Sequence, residues 1–207
     1  MNNKKSMRKT FVFIDVSNMR SACRMSGNFE IDFVKYYGYL VQKYPNLKEV
    51  RYYEGISRDD IKKKEHFKYL SDLGYIVCSL ERKGYINKAR FKECKCPNCS
   101  NVCSVCISPS SVKLKSNVDV FLASNMLKTA IKEKGLIHIV LVSCDGDYAE
   151  SIKDILELRA DVFISIMATQ KRKKNNYLSA RLCGLRDKYP DRIALINIEN
   201  IKDKIKR

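Results

Sequence analysis

The chain has 207 residues, 45% of them apolar, enough for one domain with a full core and too many for a disordered chain. Its 40 Lys and Arg against 23 Asp and Glu give a formal net charge of +17, more than solubility requires. That excess points to a polyanionic partner, nucleic acid or an anionic membrane, unless the lysines reflect coding bias alone. No apolar run is long enough to cross a bilayer, no basic amphipathic helix with a bulky aromatic edge occurs, and the early apolar stretch is too short for a signal peptide and is broken by Asp15. A cytoplasmic protein without a membrane partner is therefore expected.

In chain order, "TFVFIDVS" (Thr10 to Ser17) is a near-continuous apolar run, the pattern of a strand buried on both faces. "DFVKYYGYLVQKY" has helical spacing, with Asp32 as its N-cap. "EVRYYEGI" reads as a strand. "SRDDIKKKEHFKYLSDLG" reads as a helix with Ser57 and Asp60 at capping-box spacing and Gly74 as its stop. "YIVCSL" is a strand. Residues 81–115 have no periodicity and hold five cysteines. A helix resumes in "NVDVFLASNMLKTAIKEKG", followed by a strand, "IHIVLVS", a helix, "AESIKDILELR", and a strand, "DVFISIMA". A basic loop, "QKRKKNN", a weaker helix, "NYLSARLCGLRDKY", and a short strand, "IALINI", lead to a charged tail with helical character. Alternating strands and helices predict an α/β fold: a mostly parallel, Rossmann-like sheet with helices on both faces, in one domain spanning 1–207 with an insertion at 81–115.

In such sheets ligands gather beyond the carboxyl ends of the strands, where strand order reverses. Asp15 ends the first strand, and Asp145 and Asp147 follow "IHIVLVS". If these strands are neighbours, three carboxylates meet in one crevice, and Asp119 could supply a fourth. Clustered carboxylates raise one another's pKa unless a cation lies between them. Mg2+ or Mn2+ suits such oxygen ligands and can activate water and stabilise charge on a phosphoryl group. Asp147 with Glu150, and Ser116 with Asp119, also have capping-box spacing, so caps remain an alternative for both. Asp15 interrupts a strand end where no helix is expected to need a cap, and Asn18 could orient it or a substrate.

"FVFIDVSNM", "NVDVFLASNML" and "LVSCDGDY" resemble, in order and spacing, the three signature blocks of the NYN domain family, in the LabA-like or DUF88 branch of the PIN-like nucleases. The usual forms are close to "FIDGxN", "VDVxLAxDM" and "SGDGDF". The resemblance implies a PIN-like fold, metal-dependent cleavage of RNA, an acidic metal site at Asp15, Asp119, Asp145 and Asp147, and Asn18 as the accompanying polar residue. Two departures stand out. Asn125 replaces an acidic residue and Cys144 replaces a glycine, which leaves open a catalytically weakened RNA-binding module. A phosphohydrolase on a related sheet is disfavoured, because "DVSNM" lacks an aspartate two residues after Asp15.

The insertion contains "ECKCPNCSNVCSVC", with two C-x2-C pairs. In a reducing compartment this favours a structural Zn2+ held by Cys96, Cys99, Cys103 and Cys106, with Cys94 as a possible substitute or a second chain sharing the ion in a homo-oligomer. Free thiols and an iron–sulfur cluster are the alternatives. Lys171, Arg172, Lys173 and Lys174 follow a strand and so belong on the carboxyl edge, where they could hold RNA phosphates or simply be solvated. Lys113 and Lys115 precede Asp119 and are expected to line the site. The expected partner is RNA, single-stranded.

Overall fold

The computed structural model describes residues 8–169 and 178–207. The basic loop with Lys171, Arg172, Lys173 and Lys174 lies outside the described residues. Six parallel strands form the central sheet: β1 (Lys9–Asp15), β2 (Leu47–Ile56), β3 (Tyr75–Glu81), β8 (Ile137–Val142), β9 (Val162–Ala168) and β10 (Ile193–Asn197), in the order β10-β9-β8-β1-β2-β3. Val12, Phe13, Ile14, Ile139, Val140, Leu141, Ile164 and Ile166 are fully buried, which explains the continuous apolar runs.

Strand order runs outward from β1 in one direction and from β8 in the other. Right-handed crossovers therefore put the helices that follow β1 and β8 on opposite faces. These helices are α2 (Phe33–Lys43) and α3 (Ile61–Asp72) in the first half, and α5 (Ala149–Leu158) and α6 (Ala180–Lys188) in the second. Helix α4 (Val118–Lys132) packs on α5, and the terminal α7 (Lys202–Ile205) packs on α2. Asp32 caps α2 as expected, accepting from the N–H groups of Val34 and Lys35. At α3 the cap is Asp60 itself, bonded to the Lys63 N–H, and not a box begun by Ser57. Among the described residues no helix is long and apolar enough to cross a membrane.

Two regions differ from expectation. The chain turns into helix α1 (Val16–Ala22) directly after β1, and Asp15 is its N-cap, accepting from the Asn18 N–H. The β-branched Val16 extends the strand pattern and hides this helix start. The aperiodic insertion is a pair of nested antiparallel ribbons. Strands β4 (Lys83–Asn87) and β7 (Ser111–Lys115) pair at the base, while β5 (Arg90–Lys95) and β6 (Val102–Ser108) pair beyond them. Nearly every ribbon residue is solvent-exposed or only half-buried, so no core-facing alternation was there to be read.

Candidate active site

Strands β1 and β8 are hydrogen-bonded neighbours, with Ile14 in register with Val142, and strand order reverses between them. Their carboxyl ends therefore open on one crevice, as the switch-point rule requires. A cavity of about 280 Å³ there is lined by Asp15, Asn18, Lys115, Asp119 and Asp145, together with Ser17, Ser116, Gly55 and Val118.

Asp15 is held on both oxygens. Its Oδ1 accepts from the Asn18 N–H at 3.1 Å and its Oδ2 from the Tyr148 hydroxyl at 2.9 Å. Burial raises its pKa above the ordinary carboxylate value, and the charges of Asp145 and Asp119 push it further; the two hydrogen bonds act against this. The Tyr148 phenol is driven well above its usual pKa, first by burial and then by Asp15, so it stays a proton donor. Asn18 turns its Oδ1 the other way, accepting from the Cys144 N–H at 2.9 Å. It thereby ties the start of α1 to the exit of β8 and fixes the width of the crevice.

Asp145 Oδ1 accepts from the Asp147 N–H at 3.0 Å, so Asp145 caps the 3-10 turn Gly146–Tyr148. Asp119 lies in the first turn of α4, and the alternative of a capping box with Ser116 is not what forms: the N-cap is Asn117, without a side-chain bond. Asp119 Oδ1 is buried and has no hydrogen-bond partner among the described residues. A buried carboxylate oxygen in that condition is costly unless a cation or donor joins it.

Of the expected set, Asp15, Asp119, Asp145, Asn18 and Lys115 meet in this cavity. Asp147 does not line it: its side chain is 78% exposed and lies 3.8 Å from Arg181. Lys113 lies two ribbon pairs farther along β7 than Lys115 and does not line the cavity. Asn125 is buried and donates to the Tyr53 hydroxyl at 3.0 Å, outside the acidic cavity. Cys144 is buried against Thr169, and its backbone is not among the positive-φ positions, so the strand exit accommodates it without a glycine. The glycine this turn does need is Gly146: an added Cβ would lie 2.2 Å from Ser179 Oγ. The role of Tyr148 was not read from the sequence. The signal was the hydroxyl that tyrosine adds where the family block carries phenylalanine.

In the outer ribbon the register divides the cysteines expected to hold zinc between two faces. Cys94 lies directly opposite Cys103, and the Cys96 N–H bonds to the Asn101 carbonyl, so Cys94, Cys96 and Cys103 share a face. Cys106 lies opposite Phe91, on the other face. A strand alternates sides at each residue, so the three-residue step of "CSVC" splits that pair. Backbone N–H groups of Cys99 and Asn98 point at the Cys96 sulfur and lower its pKa. The thiols stand apart, however. Among the described residues no three His, Cys, Asp or Glu side chains crowd closely enough to share an ion.

The family model for the NYN domain matches residues 9–183. No curated protein matches the chain. A crystal structure of a protein of unknown function from Vibrio parahaemolyticus is similar, with a TM-score of 0.58 and 18% sequence identity, over 96% of this chain and 98% of that one. At that identity the likeness speaks to fold alone.

Proposed function

Since the chain belongs to the NYN domain family, we propose that it hydrolyses RNA phosphodiester bonds with Mg2+ or Mn2+ held by Asp15, Asp119 and Asp145. The observation that carries this reading is the buried, unpartnered Oδ1 of Asp119 in one cavity with two further carboxylates. The donor set is all oxygen and anionic, the chemistry a hard divalent cation takes; as they stand the three carboxylates do not crowd closely enough to share an ion, so a bound cation would have to draw them together. When bound, such a cation would activate water and stabilise charge developing on the phosphoryl group. Tyr148 and the Asn18 N–H hold Asp15 in position, and the Asp147 N–H does the same for Asp145. Lys115, on the cavity wall, is placed to attract the phosphate. Asp147 supports the turn through its backbone and is no ligand in this reading.

The test is cleavage of labelled single-stranded RNA by the parent and Asp145→Asn proteins, with and without Mg2+ or Mn2+, beside a melting curve of each. Asparagine keeps the oxygen that accepts from the Asp147 N–H and removes the charge. Metal-dependent cleavage should fall by on the order of 10³, while metal-free stability holds or rises because repulsion with Asp15 is relieved. Equal cleavage by both proteins would overturn the site. No cleavage by the parent in any metal would leave an RNA-binding module instead.

For the outer ribbon we propose one structural Zn2+ held by Cys94, Cys96, Cys99 and Cys103. Supporting it are the shared face of Cys94, Cys96 and Cys103 and the N–H groups of Asn98 and Cys99 directed at the Cys96 sulfur. Four thiolates leave no open position for chemistry.

A further inference from the structure

The inner ribbon, β4 with β7, has two unlike faces. Lys83 lies directly opposite Lys115, Tyr85 opposite Lys113, and Asn87 opposite Ser111, so these six side chains share one face. The other face carries Gly84, Ile86, Val112 and Leu114. On the first face Lys83, Lys113 and Lys115 are exposed, Tyr85 is 46% exposed, and among the described residues none of these lysines is ion-paired. Lys83 and Lys115 are like charges in direct opposition, an arrangement that destabilises a ribbon unless an anion lies across it.

The ribbon is seated on the acidic crevice and not free of it. The Arg82 N–H donates to the Ile56 carbonyl at 2.8 Å, which extends the β2–β3 pairing into the ribbon's root. At Gly55 an added Cβ would stand 2.2 Å from Ser116 Oγ and 3.0 Å from Arg82 Nε, so both ends of the ribbon close over that glycine. Lys115 then lines the same cavity as Asp15, Asp119 and Asp145. Basic side chains thus run outward from the acidic site along one face, with an aromatic ring among them.

We propose that this face is a track for single-stranded RNA, with Lys83, Lys113 and Lys115 on successive phosphates and Tyr85 stacked on a base, delivering the strand to the acidic cavity. The proposal rests on the nuclease reading for its destination, not for the binding itself. Exposed positive charge draws the backbone, and an exposed ring two residues from Lys83, about 7 Å along the strand, and directly opposite Lys113 suits an unpaired base. A duplex keeps its bases stacked internally and offers Tyr85 nothing.

The experiment measures anisotropy of a labelled single-stranded RNA oligonucleotide and of its duplex over a salt series. It uses full-length Asp145→Asn protein, so that the probe survives, in the presence of Mg2+. In that background, Lys83→Gln with Lys113→Gln should lower the slope of log affinity against log salt by about 1.4, roughly 0.7 per phosphate contact. Tyr85→Ala should weaken single-strand binding about tenfold with little change in slope, and Tyr85→Phe should restore it. Lys132→Gln, at the end of α4, should leave binding unchanged. Unaltered affinity and slope in the ribbon variants overturn the track, as does equal binding of duplex. Capture of phosphatidylserine vesicles through Lys83 and Lys113, without affinity for RNA, overturns it in favour of a membrane surface. Cleavage is read separately in proteins that retain Asp145. If the parent binds RNA through Tyr85 yet never cleaves, the track stands and the nuclease reading falls. If ribbon variants cleave and bind as the parent does, the track falls and the nuclease reading stands.

Discussion

The phenol of Tyr148 reaches Asp15 from the turn after β8, and its 2.9 Å hydrogen bond stabilises the charged form of that carboxylate. Burial and the neighbouring aspartates work the other way, so Asp15 is balanced between opposing effects. Tyr148→Phe removes one of the two bonds that keep its pKa from climbing. The acid limb of the cleavage profile should then move to higher pH, and the protein should lose about 1 kcal/mol of stability in urea unfolding. An unmoved limb would mean that ionisation of Asp15 does not govern the rate. Residues of this kind were only half legible. Asp15 stands out in the chain as an acid at an apolar strand end, and Asp145 and Asp119 as acids in matching blocks. Which member of "DGD" faces the crevice was not legible, because that depends on which oxygen the 3-10 turn takes as its cap.

The element that resisted reading was the insertion, and the reason is physical. Hydrophobic periodicity records a face turned toward a core, and neither ribbon has one: Ile86, Val102, Val105, Val112 and Leu114 are all exposed. Pairing could not be inferred without that signal, and cysteine spacing alone favoured two C-x2-C steps over the cross-strand set. The ribbon register makes a sharper prediction. Purified protein under reducing conditions should contain about one zinc per chain by elemental analysis. Cys94→Ser should lose it, whereas Cys106→Ser should keep it, since Cys106 lies on the opposite face from Cys94 and Cys103. Retention in the first variant and loss in the second would restore the set drawn from spacing. Zinc absent from the parent would remove the site altogether. The six-stranded sheet should survive in every case, because the ribbons bury little against it.

At the scale of the whole molecule, both the sheet and the meeting of its acidic strand ends follow from patterns the chain displays openly: buried apolar runs alternating with capped helices. The same sheet has a second titratable feature, at its opposite end. His138 in β8 is packed between Tyr44 and Phe163, with ring centroids 5.4 and 5.3 Å away, and its Nε2 lies 2.8 Å from Ser165 Oγ. Burial, with the nearby charges of Arg8 and Lys43, lowers its pKa from 6.5 to about 4. In the unfolded chain the imidazole takes up a proton as pH falls through 6.5, while the folded protein resists until about 4. Stability is therefore full above the higher value and is lost across that interval, by about 3 kcal/mol in all at 1.36 kcal/mol per unit. Asp15 acts in the opposite sense. Its raised pKa means that acid relieves repulsion in the metal-free site, so the two effects partly cancel in the parent's acid profile. His138→Gln keeps a group able to bond Ser165 and removes the titration. The variant starts below the parent at pH 7, from lost aromatic packing, and the gap should close as pH falls toward 4.5. Urea unfolding at both pH values measures it. A constant gap between parent and variant would mean that the imidazole stays accessible to protons in the folded sheet, and that the acid response of this protein is set elsewhere.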